Sequence, residues 1–200
     1  MRGRKKNSII LPRPMSKIIS APNPVLSLTA EKFVFGKNDV SLKTLLRGME
    51  KALLSASDPK GVGLAAPQIG KSVAIFMAKP TEQSKISVFI NPEIVETGEI
   101  SSQKQKARSR KPVRKLEGCL SLPSIWGEVL RAPSVTLEYQ TQSGRKQFRK
   151  FTGFMAIIVQ HEVDHLGGIL FPKRVLEQKG KLYKSSKNEK GEDEFEEISV

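Results

Sequence analysis

Two hundred residues, 38% of them apolar, suit one domain that buries its core without covalent staples. The single cysteine excludes an intramolecular disulfide framework and fits a reducing compartment. A net charge of +14 points first to a nucleic-acid partner, but two acid-free segments, residues 1–14 and 101–115, hold twelve of the excess charges and leave the main body nearly neutral.

Residues 1–15 read as a basic, disordered leader. A solvated tail ahead of Met15 and a targeting signal both fit it, since organelle transit peptides share its acid-free character. From Ser41 to Ser57, Leu42, Leu45, Leu46, Met49, Leu53 and Leu54 recur at helical spacing and predict an amphipathic helix, with Asn38, Asp39 and Ser41 as capping candidates. The run Gly61–Gly70 is rich in small residues and lacks the Lys-Ser or Lys-Thr end of a phosphate loop. Its glycines allow a close backbone approach to a ligand, although a plain turn explains them too. There Pro67 sets the chain before Gln68, whose amide can donate a hydrogen bond into a site.

Short β-rich runs follow at Val73–Ala78, Ser87–Ile90 and Val135–Tyr139, and Gln147–Phe151 is expected to pair with the last across a Ser143-Gly144 turn. Residues 101–115 read as a disordered, self-repelling basic loop with nothing aromatic interleaved. A further helix is predicted from Thr152 to the Gly167-Gly168 stop. Its apolar run, Phe154 to Val159, is far too short to span a bilayer, so a soluble chain with no membrane partner is expected. From residue 177 the chain is a charged extension. Lys181-Leu182-Tyr183-Lys184 and Glu194–Ile198 either pair as a hairpin or remain a disordered tail. The fold class is α+β: antiparallel β-sheets packed around a central, histidine-bearing helix, with an N-terminal amphipathic helix.

The chemistry concentrates in Gln160-His161-Glu162-Val163-Asp164-His165. Residues four apart share a helix face, so His161 and His165 can present two imidazoles to one ion, with Glu162 beside them as a general base. Phe154, Ile157 and Ile158 precede them at helical spacing and predict one buried stripe. Two core histidines satisfied by carbonyls would be the plainer explanation, but these are the only histidines in the chain. The single cysteine, Cys119, lies forty-two residues before His161 in Glu117-Gly118-Cys119-Leu120-Ser121-Leu122-Pro123, a piece that resembles an irregular strand. A lone cysteine is often a small buried apolar group. Beside two helical histidines it offers a third ligand and leaves a fourth position open, the mark of catalytic metal. With the thiolate ionised, such a divalent site carries net +1, and its softer ligation admits iron, zinc, nickel or cobalt.

Three ordered motifs, G-x-G-x-A-A-x-Q at Gly61–Gln68, E-G-C-x-S at Glu117–Ser121 and Q-H-E-x-D-H at Gln160–His165, resemble those of the peptide deformylases without a mismatch. The resemblance covers about residues 16 to 175, and implies a catalytic domain over 16–176 with 101–115 as an insertion. It implies hydrolysis of the N-terminal formyl group from formyl-methionine of nascent polypeptides, releasing formate. Cys119, His161 and His165 would ligate the metal, with Fe(II) as the physiological ion. Glu162 would carry the proton, and Gln68 with the backbone N–H of Leu120 would hold the oxyanion. Gly63 would let the substrate backbone lie close, and Val62, Phe154, Ile157 and Ile158 would line the pocket for the first side chain. Glu117 and Asp164 are candidates for orienting the ligands or for ordinary surface or capping carboxylates, and Arg131 for a substrate contact or a surface ion pair. One departure is Ser124, where many members have glycine.

Two other classes compete. An endopeptidase of the H-E-x-x-H type normally takes a third histidine or glutamate downstream, and no histidine follows His165. A ribosome or RNA binder with structural metal draws on the basic segments. The readings combine in a monomeric, bacterial-type cytoplasmic deformylase whose basic segments keep it near rRNA, with import into an organelle as the other location.

Overall fold

The protein is described from a computed structural model, which covers residues 17–36, 39–57, 59–99 and 114–199. The leader 1–15 lies outside the described residues, as does the basic stretch 101–115 except for Arg114 and Lys115.

Two antiparallel sheets form the frame. The first contains β1 (Gly63–Ala65), β2 (Ile75–Ala78), β3 (Ser87–Thr97), β6 (Ser134–Gln140) and β7 (Lys146–Thr152), in the order β1-β2-β3-β6-β7. The second contains β4 (Lys115–Cys119), β5 (Leu122–Val129), β8 (Leu182–Lys187) and β9 (Asp193–Ile198), paired in chain order. Three α-helices accompany them: α1 (Asp39–Ser55), α2 (Gly153–Leu166) and α3 (Phe171–Glu177).

Strand β2 is buried along its whole length, which is why its sequence is an unbroken apolar run rather than an alternation. Successive side chains still point to opposite faces. Ile75 and Met77 share a core with Leu46, Met49 and Leu53 of α1, whereas Phe76 and Ala78 share one with Ile158 and Val159 of α2. The first sheet is thus packed between two helices. Each fully buried Leu, Ile or Phe side chain contributes roughly 1.5–3 kcal/mol to that arrangement. A third cluster seats Phe171 and Val175 of α3 against Val129 and Leu182 of the second sheet.

Several boundaries differ from the sequence expectation. Helix α1 ends at Ser55, Ser57 bridges to Lys60, and Leu54 faces solvent. The capping candidate Asn38 and the side chains of Asp39 and Ser41 lie outside the described atoms. Strand β3 does not stop at Ile90. Asn91 takes a left-handed φ of 50°, and the register shifts between Ile90 and Glu93, so the strand continues through a bulge to Thr97. The Asn91 side chain secures that bulge: its Oδ1 accepts from Phe33 N at 2.7 Å, and its Nδ2 donates to Gln140 Oε1, also at 2.7 Å.

Strands β6 and β7 pair from Ser134–Thr152 to Gln140–Lys146, with Gly144 at φ 78° in the turn. Strands β8 and β9 form a hairpin in which Lys184 opposes Glu196, and Lys181 and Lys187 pair with Glu197 and Asp193. Among the described residues, no helix is long and apolar enough to cross a membrane.

Candidate active site

Strands β4 and β5 are joined by two residues, Leu120 and Ser121, and the register slips between Gly118 and Cys119. Gly118 opposes Trp126, but Cys119 opposes Leu122, so Pro123, Ser124 and Ile125 bulge out of the ladder. Within the bulge Ser124 adopts φ 61°, a conformation that favours glycine. This accounts for the departure noted in the sequence: the chain places serine in a backbone shape better suited to glycine.

The bulge turns Cys119 toward α2, where its Sγ lies 3.2 Å from His165 Nε2. Ligand atoms of Cys119, His161 and His165 all lie within 4.8 Å of one another, close enough for one ion. The donor set, one sulfur and two imidazoles, suits a divalent metal. Two buried atoms with no partner, Glu162 Oε2 and His165 Nδ1, accompany it. A wholly structural cluster would leave neither orphaned.

Gln68 approaches from a 3-10 turn at Ala66–Ile69, just after β1. Its Oε1 accepts from Ala65 N at 2.9 Å, which fixes the amide so that Nε2 faces the metal group. That Nε2 donates to Ser121 Oγ at 3.2 Å and toward the Cys119 sulfur at 3.6 Å. Gly63 lies against Glu162: a Cβ there would stand 2.2 Å from Oε1 of the carboxylate. Any side chain at Gly63 would have to displace that carboxylate.

Behind the ligands, charge is paired throughout. Glu117 Oε2 lies 3.0 Å from His161 Nδ1, while Arg131 donates to both Glu117 oxygens at 2.8 and 3.0 Å. Arg131 also donates to Asp164 Oδ2 at 2.6 Å, and Arg174 reaches both Asp164 oxygens at 2.6 and 3.1 Å. Arg131 is therefore an ion-pair residue: its side chain is 8% exposed and is absent from the cleft wall. Asp164 acts at one remove from the ligands, by holding Arg131. Gln160 clasps the next loop: Ala132 N donates to its Oε1, and its Nε2 donates to Ala132 O, each at 3.0 Å.

The two buried glutamates titrate in opposite directions. Burial raises the Glu162 carboxyl, Glu117 adds to the rise, and the net result is about 7. Burial also pushes Glu117 up, but hydrogen bonds from His161 and Arg131 outweigh it and bring the group down to about 2. His161 is opposed by burial yet lifted well above its ordinary value by the Cys119 sulfur and the Glu117 carboxylate. Burial and the neighbouring His161 charge depress His165. The metal-free cluster thus keeps one imidazole ready to hold a proton and the other neutral.

A cleft of about 310 Å³ opens over this cluster. All the site residues read from the sequence line it except His165, which is 1% exposed and lies deeper: Val62, Gly63, Gln68, Cys119, Leu120, Phe154, Ile157, Ile158, His161 and Glu162. The stripe on α2 differs from expectation. Phe154 is 50% exposed and Ile157 half-buried, because they face the cleft and not the core. Ala156 and Val159 take the core-facing role instead. Sequence reasoning missed Arg174, Leu116 and Trp126, and gave Ser121 a place in a motif but no role. Of the first three only Trp126, as the sole tryptophan and seven residues past Cys119, carried any signal.

A cysteine sulfur and two imidazoles close enough to share one ion, a buried carboxylate alongside and an apolar cleft above place the protein among the metallohydrolases. The comparisons narrow that class. Residues 15–181 match the family model described as polypeptide deformylase. A peptide deformylase of Roseiflexus castenholzii is 43% identical over 150 residues, covering 68% of this chain and 74% of that one. The solved peptide deformylase of Synechococcus elongatus, in complex with actinonin, aligns at TM-score 0.67 and 32% identity, covering 82% of this chain and 80% of the other. An Acinetobacter baumannii deformylase with Met-Ala-Ser bound aligns at TM-score 0.66 and 33% identity, covering 79% and 96%. The chain belongs to the peptide deformylase family, and its activity is the metal-dependent hydrolysis for which that family is named.

Proposed function

We propose that the cleft receives N-formylmethionyl nascent peptides, and that Glu162 carries the proton in their deformylation to formate and a free amine. The observation that carries this reading is the Glu162 carboxylate itself: buried, packed on Gly63, with Oε2 unpartnered beside the cysteine and histidines. A buried carboxylate with a free oxygen facing the reacting centre can both accept and return a proton.

A divalent ion held by Cys119, His161 and His165 supplies Lewis-acid polarisation and a lowered water pKa. Glu162 takes the proton of the attacking water and passes it to the leaving nitrogen. Gln68 Nε2, fixed by its own carbonyl, donates with the Leu120 N–H to the developing oxyanion. Gly63 admits the substrate backbone. Strands β1 and β4, each at the end of its sheet, leave edges on which an extended peptide can add. Val62, Phe154, Ile157 and Ile158 suit an unbranched methionine side chain. The Met-Ala-Ser bound to the Acinetobacter relative, which begins with methionine, supports this choice.

Fe(II) is the native ion on this reading, with zinc, nickel or cobalt as substitutes. Residues 16–176 act as the catalytic unit of a cytoplasmic monomer, and the basic segments 1–14 and 101–115 add a salt-dependent rRNA contact. The deciding experiment is Glu162→Gln, assayed for metal content and for turnover of formyl-methionyl peptide. Metal is retained and activity falls by roughly 10²–10⁴-fold; full activity would remove Glu162 from the mechanism. Cleavage of internal bonds in an unformylated peptide would instead favour an endopeptidase.

A further inference from the structure

Trp126 is the only tryptophan in the chain, and the deformylation chemistry leaves it without a role. It stands opposite Gly118 in the β4–β5 ladder, with its ring so close that a Cβ on that glycine would lie 2.9 Å from Cζ3. The same residue lines the cleft together with Leu116, an apolar side chain left 42% exposed.

Two residues of the β8–β9 hairpin hold the indole from behind. Its Nε1 donates to Ser185 Oγ at 3.1 Å, and the Phe195 ring meets it edge-on, with 5.9 Å between centroids and 85° between planes. The polar handle and one edge are therefore committed to the hairpin, and what Trp126 offers the cleft is apolar surface. Lys115 lines the same cleft and disfavours a cationic occupant, while Lys60, also on the wall, is paired with Glu82. The family match ends at residue 181, so Ser185 and Phe195 lie on an element beyond it.

Resting on the deformylase reading, we propose that Trp126 is a specificity-determining wall for the two residues that follow the formylated methionine. It selects apolar side chains there, and Ser185 and Phe195 are its positioning residues. Exposed apolar groups gathered in a cleft mark a contact surface for a ligand of like character.

The test compares formyl-Met-Leu-Leu with formyl-Met-Ser-Ser, reading kcat and KM separately, with formyl-methionine amide as the short control. The wild-type enzyme prefers the leucine peptide in kcat/KM. Trp126→Ala lowers that preference roughly three- to tenfold, the range an aromatic contact supplies. Phe195→Ala and Ser185→Ala raise KM for the leucine peptide at constant kcat, leave turnover of the short control unchanged, and shift the emission of the sole tryptophan to the red. Ser185→Thr restores both readouts. An unchanged leucine-to-serine ratio in Trp126→Ala overturns the proposal. So does a red shift in Phe195→Ala with no change in KM, and this variant carries the test alone should Trp126→Ala not fold. Failure of the wild-type enzyme on the short control would count against the deformylase reading instead.

Discussion

Glu117 and Glu162 lie on two sides of the same metal group, yet their surroundings follow opposite rules. On the Glu117 side every charge has a partner: His161, Arg131, Asp164 and Arg174 form one chain of hydrogen-bonded ions running away from the cleft. On the Glu162 side a carboxylate oxygen has no partner, and a glycine gives up its side chain to make room. Saturation fixes the ligands, while an unfilled hydrogen-bonding position is where a reactant can enter. The same residue type therefore serves as an anchor in one place and a proton carrier in the other, and the difference comes from neighbours alone.

The largest effect should come from breaking the paired side. Glu117→Gln leaves Arg131 buried with half its compensation gone, which costs about 3–5 kcal/mol of stability by the usual penalty for a broken buried pair. Loosening His161 also weakens metal affinity about 10–100-fold. Denaturant unfolding and metal titration on the variant check both. A variant as stable as wild type would show that the pairing does not anchor the ligands.

The pH dependence of the metal-free protein sharpens the contrast, because the two glutamates act with opposite sign. Glu117 is depressed from 4.5 to about 2, so its stabilising contribution is present above pH 4.5 and is lost as pH falls toward 2. Glu162 is raised from 4.5 to about 7, so its contribution is present below pH 4.5 and is lost as pH rises to 7. Each is on the order of 3 kcal/mol. Urea midpoints measured in chelator from pH 3 to 8 should fall at both ends, and Glu162→Gln should flatten the upper limb only.

On the open side, Gly63→Ala pushes a methyl group into the Glu162 carboxylate. A displacement on that scale costs about a hundredfold in kcat, with metal content and overall fold unchanged by metal analysis and circular dichroism. The smallest change is expected at the bulge that aims Cys119. Ser124→Gly relieves the left-handed φ and should raise stability by about 0.5–1 kcal/mol, once the entropy of glycine is set against the relief. A thermal melt with activity measured in parallel tests it, and a loss of stability would mean that the Ser124 side chain supports the bulge.

Local chemistry was the most legible part of the sequence. His161, Glu162 and His165 are close in the chain and need only a helix to meet, and Cys119 is the one thiol. Regions with one buried face were also readable: β6 and most of α1 follow from periodicity, while β7, exposed except at Phe151, follows from its β-rich run and the Ser143-Gly144 turn. The paired network was legible only in part: Glu117, Asp164 and Arg131 stand out singly, but they and Arg174 come from separate elements, and no spacing rule connects them. Helix α3 has seven residues, too few for a period to register. The apolar β-rich run ends at Ile90, whereas the bulge at Asn91 lets β3 continue to Thr97. Periodicity alone reads Phe154 and Ile157 as buried, because an apolar face looks the same whether it meets other side chains or an apolar cleft; only the family resemblance puts them on the cleft wall.

Gln160 works on α2 as a key works in a keyway. It sits one residue before His161 and grips the Ala132 backbone from both ends of its amide, so it sets the angle at which the helix presents His161, Glu162 and His165. An amide gains and loses no charge. That grip is therefore indifferent to acidity and to added salt, whereas the ion pairs of Asp164 and His161 hold the same helix by contacts that titrate. The helix is thus held by one contact that cannot change its charge and by others that can, and the first keeps part of the catalytic registry when the second titrate.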